Sequence, residues 1–483
     1  MQPLRFCLSF VLLALAGLSS SPAAAQDAAT GASAAPTKKP NILFLFTDDM
    51  RADSIGALGH PMVKTPHIDT LVQRGFTLSN AFCLGSNSPA VCSPSRNMLL
   101  SGRTYFRWKG QQLAPADGPN LPAALKAAGY ETWHLGKKGN TATAIQATFE
   151  HNNYLADDEK ERRSGEPGME CADGAIKFLT EQRDKTRPFF MYVAFGNPHD
   201  PRVAAETYRS LYDVEQIPLP ESYAPQHPWN IGSNTIRDEL LAPFPRTPEV
   251  VRQHLHDYFA VITCLDGHIG RILKTLQTLE LEDDTIIVFS SDHGLGMGSH
   301  GLMGKQNVYD DGYRAPLIFA GPGIPQGKSK ALCYLMDIMP TICDMAGATA
   351  PEGLDALSLL PVVTGKVETI RDSLVLSYMD TQRALRESRW KLISFPKIGK
   401  KQLFDLADDA AEVNDLASYP EHQDRVSAMM QKLATVQQSM GDDLPLTVAS
   451  PAPAEFNPPS EAQRAALMKS GAKKPVKKAG AGQ

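Results

Sequence analysis

Charged side chains follow four segments that have the composition of buried strands, at the point where each segment ends. In chain order they are Asp48 with Asp49, Lys137, His199, and Asp292 with His293. Ligands of open α/β sheets bind at the carboxyl ends of the strands, so we expect these groups to meet at one sheet edge. One such residue alone is usually a turn or cap residue. Their occurrence after four strands favours a binding or catalytic site.

The carboxylates in this set predict a metal ion. Asp48, Asp49 and Asp292 would repel one another at one edge unless a cation lay among them. Carboxylate oxygens are ligands of hard ions, so the set favours Ca²⁺ or Mg²⁺ over zinc. His293 is a softer ligand and leaves Mn²⁺ open as well.

A ring of basic residues is predicted to face that metal. Its members are Arg96, Lys137, His199 and Lys305. Such a ring suits a tetrahedral oxyanion, because each cation can donate a charge-assisted hydrogen bond to an oxygen. A divalent metal opposite a ring of cations predicts ester chemistry on sulfate or phosphate.

The segment SPAVCSPSRNMLLSGR, residues 88–103, places Cys92 at the start of a predicted helix. Pro94 suits the first turn, and we expect the helix to run to about Ser101. A helix N-terminus offers free amide donors to an anion, so Cys92 would lie at the mouth of the anion site, beside the metal. A thiolate is a poor ligand for a hard cation, and an unmodified cysteine therefore fits this position badly.

The elements that must position these residues alternate along the chain. NILFLF, residues 41–46, is a continuous apolar run, typical of a strand buried on both faces. In TPHIDTLVQRG, Thr65 and Pro66 are predicted to begin a helix that Gly75 ends. The alternation recurs as far as DTIIVFS, residues 284–290. It predicts a large, mostly parallel, doubly wound α/β sheet flanked by helices.

The two ends of the chain have a different composition. Short alternating strands from about Arg371, followed by a helix over 420–440, predict a small antiparallel α+β subdomain. The first residues combine Arg5, an apolar run and small residues, which is typical of a secretory signal. The predicted ranges are 1–25 for the signal peptide, 26–39 for a linker, 40–370 for the catalytic domain, 371–445 for the subdomain and 446–483 for a disordered basic tail.

The apolar run near the N-terminus is shorter than the roughly 20 residues that span a bilayer, so we expect no membrane span in the mature form. The protein is predicted to be exported, to the periplasm or beyond. With 42% hydrophobic residues, 21% charged residues and a net charge of -5, nothing in the composition favours a nucleic-acid partner. The cysteines form no Cys-x-x-Cys spacing, and the sequence leaves disulfides open. Cys264 and Cys343 are interpreted as small buried hydrophobic residues.

CSPSR at 92–96, followed by LLSGR, resembles the signature of the type I sulfatases, whose cysteine is oxidised to formylglycine. Other segments resemble this family in the same order, namely PNILFLFTDDMRAD, TPHIDTLVQRG, NPHDP, SSDHG and GLMGKQNVYDDGYRAPLI. The similarity runs from Pro40 through the C-terminal subdomain. It implies the α/β fold of the alkaline-phosphatase-like superfamily.

The resemblance implies a role for each residue that matches a family motif. Ca²⁺ would be bound by Asp48, Asp49, the modified Cys92, Asp292 and His293. Mg²⁺ and Mn²⁺ are alternative ions. The aldehyde at position 92 would be hydrated to a geminal diol, and one hydroxyl, aided by the metal and Arg96, would attack sulfur. The second hydroxyl would then allow release of free sulfate.

The resemblance assigns the remaining basic residues to the substrate. Lys137 would orient the diol and the sulfate, while His199 and Lys305 would bind sulfate oxygens. One of these two would also protonate the leaving oxygen. The unperturbed pKa of histidine lies nearest neutrality and favours His199 for that step, but the sequence leaves the choice open.

One position departs from the family pattern. The family's Gly-Lys-Trp-His aligns with Gly-Lys-Lys-Gly at 136–139, so Gly139 replaces a histidine that assists breakdown of the intermediate. His134 is either a substitute that contacts the substrate or a histidine buried in its strand. His300 either lines the pocket or packs within its loop.

The sequence therefore predicts an exo-acting sulfuric ester hydrolase that removes sulfate from a sulfated carbohydrate. Its partners would include a formylglycine-generating maturation enzyme and the secretion machinery. The first alternative is a phosphate or phosphonate monoester hydrolase of the same superfamily. The second is a non-catalytic binder of sulfated glycans, which Gly139 makes plausible.

Overall fold

In the computed structural model of the protein, which describes residues 38–108, 114–115 and 117–472, a fully buried strand lies at the centre of the fold. This strand, Asn41–Asp48, contains the predicted apolar run. Phe44 and Phe46 belong to one hydrophobic core and Leu43 to the other, because successive side chains of a strand point to opposite faces. Both faces of the sheet are thus covered, as a continuous apolar run requires.

The strands number fourteen within the described residues. In chain order they are β1 Asn41–Asp48, β2 Phe76–Phe82, β3 Gly85–Ser86, β4 Glu131–Gly136, β5 His151–Tyr154, β6 Phe189–Pro198, β7 Thr285–Ser291, β8 Arg314–Ala315, β9 Leu317–Ala320, β10 Gly327–Tyr334, β11 Ser373–Tyr378, β12 Gln382–Glu387, β13 Trp390–Phe395 and β14 Lys400–Asp405. The large sheet has the order β10-β2-β9-β7-β1-β6-β4-β5, and β8 pairs with β2. β8 and β9 run antiparallel to their neighbours, whereas the other pairs are parallel. The predicted fold class is confirmed.

Helices cover both faces of this sheet. The α-helices of the described residues are α1 Pro66–Arg74, α2 Cys92–Ser101, α3 Leu121–Ala127, α4 Thr143–Gln146, α5 Asp158–Arg162, α6 Met169–Lys177, α7 Glu206–Arg209, α8 Pro248–Thr278, α9 Asp310–Tyr313, α10 Ile338–Ala346, α11 Leu360–Val363, α12 Gln423–Ser439 and α13 Glu461–Ala472. α2, α3 and α10 pack in one core, and α1, α6 and α8 pack in the other. In the described part of the chain, no helix has the length and apolar character needed to cross a membrane.

A second sheet has the order β14-β13-β12-β11-β3, and α12 packs on one of its faces. The predicted C-terminal strands and helix are therefore present. One edge strand of this sheet is β3, which precedes Cys92 in the chain and pairs with β11. Gly85 in β3 has a φ of 132°, and a Cβ there would lie 1.7 Å from the carbonyl oxygen of Ser377. Glycine thus permits the close pairing of β3 with β11.

Residues 446–472 differ from the prediction of a disordered tail. This segment includes α13 and returns to the larger part of the molecule. Phe456 is buried against Phe244, with 5.5 Å between ring centroids, and Arg464 donates a hydrogen bond to the carbonyl of Leu240. These anchors supply the burial that composition alone did not reveal. The predicted signal peptide and most of the linker lie outside the described residues.

The cysteines of the described residues are free and buried. They are Cys83, Cys92, Cys171, Cys264, Cys333 and Cys343. The interpretation of Cys264 and Cys343 as buried hydrophobic residues is thus confirmed.

We expect Glu161→Gln to stabilise the protein at pH 8. Glu161 is 1% exposed, and burial, together with nearby Asp158 and Glu170, raises the pKa of its carboxyl from 4.5 to about 7. The folded state therefore favours the protonated form, so this contribution to stability is complete below pH 4.5 and is lost as the pH rises through 7. Glutamine cannot ionise and should gain on the order of 2 kcal/mol at pH 8. Urea unfolding of the wild type and the variant at pH 4 and pH 8 tests this prediction. The same difference in free energy of unfolding at both pH values would contradict it.

Candidate active site

The predicted carboxylates meet at the carboxyl edge of the large sheet because β1 and β7 are parallel neighbours. Asp48 ends β1, and Asp292 directly follows β7. Asp49 has a φ of 68°, in the left-handed region that aspartate tolerates better than most residues. Its amide donates to Asp292 Oδ1 at 3.1 Å, and the Tyr258 hydroxyl donates to its carbonyl at 2.7 Å. The turn after β1 thereby brings all three carboxylates together.

Arg96, on the first turns of α2, joins two of these carboxylates. Its Nη2 lies 2.7 Å from Asp48 Oδ2, and its Nε lies 3.1 Å from Asp292 Oδ2. All three side chains are fully buried. Lys137 Nζ lies 2.6 Å from the same Asp48 oxygen. Burial raises the pKa of Asp48, but attraction by Lys137 and Arg96 outweighs it and holds the pKa well below the ordinary value.

The other two predicted cations complete the ring. Lys305 Nζ lies 2.7 Å from Asp49 Oδ1. A ring nitrogen of His199 lies within 4.8 Å of ligand atoms of Asp48, Asp49 and Cys92. Burial and the neighbouring Lys305 charge lower the pKa of His199. The four predicted basic residues therefore converge on one site from distant parts of the chain.

Cys92 is the first residue of α2, as predicted, and it is 3% exposed. Its sulfur lies 3.6 Å from Asp48 Oδ1 and 3.3 Å from His293 Nε2. The other ring nitrogen of His293 lies 3.0 Å from the carbonyl oxygen of Gly294, an atom that can only accept a hydrogen bond, so Nε2 is the ring nitrogen that faces the Cys92 sulfur and the cluster. Burial and the carboxylates, Asp48 foremost, raise the pKa of the Cys92 thiol.

The donor set fits a hard divalent cation. Asp48, Asp49 and Asp292 supply carboxylate oxygens, and His293 presents Nε2 on the same side as Cys92. Three carboxylates are balanced by Arg96, Lys137 and Lys305, so a divalent ion would leave the site two charges positive. A positive site with oxygen ligands suits an anionic ester.

Two residues predicted as candidate substrate contacts make packing contacts in the structure. His134 is fully buried in β4, its Nδ1 lies 3.1 Å from the Tyr154 hydroxyl, and its ring packs on Tyr192. Burial, followed by the charge of Arg96, lowers the pKa of His134 to about 3, so it is a neutral core residue rather than a substrate ligand. His300 stacks on Tyr309 with centroids 3.7 Å apart, which is loop packing.

The loop after β4 contacts α2 through residues that the motifs did not reveal. Asn140 donates to the Ser93 hydroxyl at 2.8 Å, and the amide of Ala142 donates to Asn97 Oδ1 at 2.7 Å. Gly139 is exposed, and among the described residues no heavy atom lies within 4 Å of a Cβ built there. The structure therefore has room for a histidine side chain at position 139. No local signal could have identified Asn140, because its partner is 47 residues away.

Two models of known protein families match this chain. The Sulfatase model matches residues 40–348, and the model described as N-sulphoglucosamine sulphohydrolase, C-terminal, matches residues 298–439. The chain belongs to the sulfatase family. This confirms the resemblance drawn from CSPSR and its companion motifs, and this sulfatase is an enzyme of sulfate ester hydrolysis.

Curated relatives span most of the chain. A choline-sulfatase of Rhizobium meliloti is 29% identical over 440 residues, which cover 80% of this chain and 83% of the relative. An ulvan-active sulfatase of Formosa agariphila is 27% identical over 448 residues, covering 84% and 83%. An N-acetylglucosamine-6-O-sulfatase of Bacteroides thetaiotaomicron is 25% identical over 497 residues, covering 85% and 88%.

Solved structures share the fold. A structure in complex with its substrate D-glucosamine-2-N,6-O-disulfate has a TM-score of 0.72 and 23% identity, and covers 85% of this chain and 99% of that chain. A phosphonate monoester hydrolase of Agrobacterium radiobacter also has a TM-score of 0.72 and 23% identity, covering 83% and 96%. The same fold therefore occurs in proteins named for sulfated and for phosphonate substrates. The substrate class of this chain must be inferred from the residues of its site rather than from the fold.

Proposed function

We propose that this sulfatase removes sulfate from a sulfated carbohydrate, using a formylglycine made from Cys92 and a bound Ca²⁺. The observation that carries the proposal is the position of Cys92, at a helix N-terminus between the carboxylate cluster and four basic side chains. A plain thiol is a poor ligand for a hard cation, whereas an oxygen at the same position would suit one. Two relatives support a carbohydrate substrate by their names, the ulvan-active and the N-acetylglucosamine-6-O-sulfatases.

Asp48, Asp49, Asp292 and His293 would hold the ion together with the modified residue 92. When bound, Ca²⁺ and the hydrated aldehyde supply a Lewis acid and an activated hydroxyl nucleophile. Arg96 orients Asp48 and Asp292, because it contacts both carboxylates, and together with Lys137 it holds the pKa of Asp48 low. Lys137 and Lys305 present ammonium groups that donate to sulfate oxygens.

The proton for the leaving alcohol is assigned to His199: burial and the Lys305 charge lower its pKa in the free protein, and a bound sulfate ester would favour the protonated ring through its negative charge. Its Nδ1 lies 2.7 Å from the carbonyl oxygen of Asp200, which can only accept a hydrogen bond. This contact fixes the ring and leaves Nε2 as the atom that donates to the substrate when the ring is protonated. Lys305 is held by Asp49 and serves to bind sulfate.

Burial of Cys92 bears on maturation. Because the side chain is 3% exposed, the maturation enzyme would act before folding is complete. We propose that the signal peptide then directs export to the periplasm or beyond. The secretion machinery and the maturation enzyme are thus the proposed partners.

The proposed reaction is tested with matched esters. The purified enzyme with confirmed formylglycine is assayed on 4-nitrophenyl sulfate, 4-nitrophenyl phosphate and a phenylphosphonate ester, with Ca²⁺ present. We expect the highest kcat/KM on the sulfate. A strong preference for phosphate or phosphonate would favour the fold neighbour's activity instead. Binding of sulfated oligosaccharides without turnover of any sulfate ester would identify a non-catalytic binder.

We expect Gly139→His to increase turnover without a cost in stability. The position faces open space, so the free energy of unfolding should change by less than about 0.5 kcal/mol. A base at this position would assist release of sulfate, so the wild type should show a burst of 4-nitrophenol that the variant reduces. Stopped-flow absorbance measures the burst. Gly267→His, at a half-buried glycine of α8 where a Cβ also meets no heavy atom within 4 Å, is the control, and equal bursts in wild type and Gly139→His would contradict the prediction.

A further inference from the structure

We propose that Arg237 is a positioning residue that holds His199 and Lys305 in register through two carboxylates, Asp200 and Asp238. This inference rests on the proposed function and concerns the delivery of a proton to the leaving alcohol. Arg237 lies in a loop that no sequence motif marked. We call Asp200, Arg237 and Asp238 the Asp-Arg-Asp bridge.

One end of the Asp-Arg-Asp bridge is adjacent to His199. The Nδ1 atom of His199 lies 2.7 Å from the Asp200 carbonyl oxygen and 3.4 Å from Asp200 Oδ1. Arg237 contacts both oxygens of the same carboxylate, with Nη1 lying 2.8 Å from Oδ1. A bidentate pair of this kind fixes orientation as well as charge. Asp200 is therefore held while it faces the imidazole.

The other end is adjacent to Lys305. Asp238 Oδ2 lies 3.7 Å from Lys305 Nζ and accepts a hydrogen bond from Gln306 Nε2 at 2.8 Å. Arg237 Nη1 also donates to Asp238 Oδ1, at 3.1 Å. One guanidinium therefore joins the two carboxylates that flank the sulfate-binding cations.

The exposures show what the guanidinium contributes. The side chains of Asp200 and Asp238 are 11% and 10% exposed, whereas that of Arg237 is 53% exposed. Without Arg237, two largely buried carboxylates would lose their shared partner. Asp238 would keep its hydrogen bond from Gln306, so Lys305 should stay beside Asp49. Asp200 would be free to turn, and the His199 ring that it contacts would tilt. Misalignment of the proton donor lowers the reaction rate, because catalysis depends on how the reacting groups are oriented.

The loop has other supports, so loss of Arg237 should not unfold it. The amide of Asn230 donates to the carbonyl of Ala454 at 2.8 Å, and Phe244 packs on Phe456. The segment after the subdomain thus braces the loop from outside. Arg237 can be replaced while these contacts remain.

The test is Arg237→Gln, assayed on sulfate esters whose leaving alcohols differ in pKa. A poor leaving group needs protonation, so kcat/KM for an alkyl or sugar sulfate should fall by about 10²-fold. Loss for 4-nitrophenyl sulfate should stay below about fivefold, because this leaving group needs little protonation. Arg237→Lys should recover part of the loss. Arg271→Gln is the matched control: it removes another exposed arginine, on α8, that is paired with Asp173 of α6, and it should change kcat/KM on neither kind of substrate.

Equal losses on the two kinds of substrate would overturn the proposal, since they would indicate a merely structural role. Full activity of Arg237→Gln on sugar sulfates would overturn it as well. A wild-type enzyme that hydrolyses no sulfate ester would instead refute the proposed function, so the two failures are distinguishable. Circular dichroism of the variant checks that the fold is retained.

Discussion

We expect Cys92→Ala to lower kcat/KM on every sulfate ester by at least about 10⁴-fold, because the proposed nucleophile is derived from this side chain. The fold should be retained, since Cys92 opens α2 and its small side chain contributes little packing. Steady-state kinetics and thermal unfolding measure the two effects.

Cys343→Ala, which removes another buried free thiol in α10, is the control and should stay active. Mass spectrometry of the Cys92 peptide from the wild type should show the aldehyde in place of the thiol. An active enzyme whose peptide carries an unmodified thiol throughout would refute the proposed chemistry.

The second large effect is expected for Asp48→Asn, in both activity and stability. One oxygen of Asp48 lies 2.7 Å from Arg96 and 2.6 Å from Lys137, and all three side chains are buried. Removing its charge leaves two buried cations short of a partner, which should cost about 3–5 kcal/mol. Activity should fall by about 10³-fold or more, because the metal and the cations lose their alignment.

Asp337→Asn separates these two effects. Asp337 is buried and forms a bidentate pair with Arg371, and neither residue belongs to the carboxylate cluster or the cation ring. We expect this control to lose stability and to keep its kcat/KM. Urea unfolding and assays at a temperature where both variants are folded give the comparison. Full activity of Asp48→Asn would contradict a role for the Asp48 carboxylate in the active site.

Much of the site was predictable because it follows from one rule of sheet topology. Runs such as NILFLF and DTIIVFS identify parallel strands, and the polar residues after parallel strands share an edge. That reasoning placed Asp48, Lys137 and Asp292 together, and the structure has them there. The predicted start of α2 at Cys92 is confirmed. It could be predicted because a proline in the first turn of a helix is a local sequence signal.

Histidines were less predictable, because residue type does not report surroundings. His134 and His199 both lie near the carboxyl ends of strands, yet only His199 reaches the cation ring. Side chains alternate in direction along a strand, and His134 points into the core beside Tyr192. His300 stacks on Tyr309, a contact that a loop sequence does not encode.

The sequence by itself determined the fold class, the family, and the residue types of the carboxylates and the cation ring. These properties depend on residue types and on short patterns of strands and helix starts. Only the tertiary structure decided the pairing of β3 with β11, the anchoring of Phe456, and the contacts of Arg237 with Asp200. Each joins segments far apart in the chain, and such contacts depend on how the loops close rather than on any local pattern.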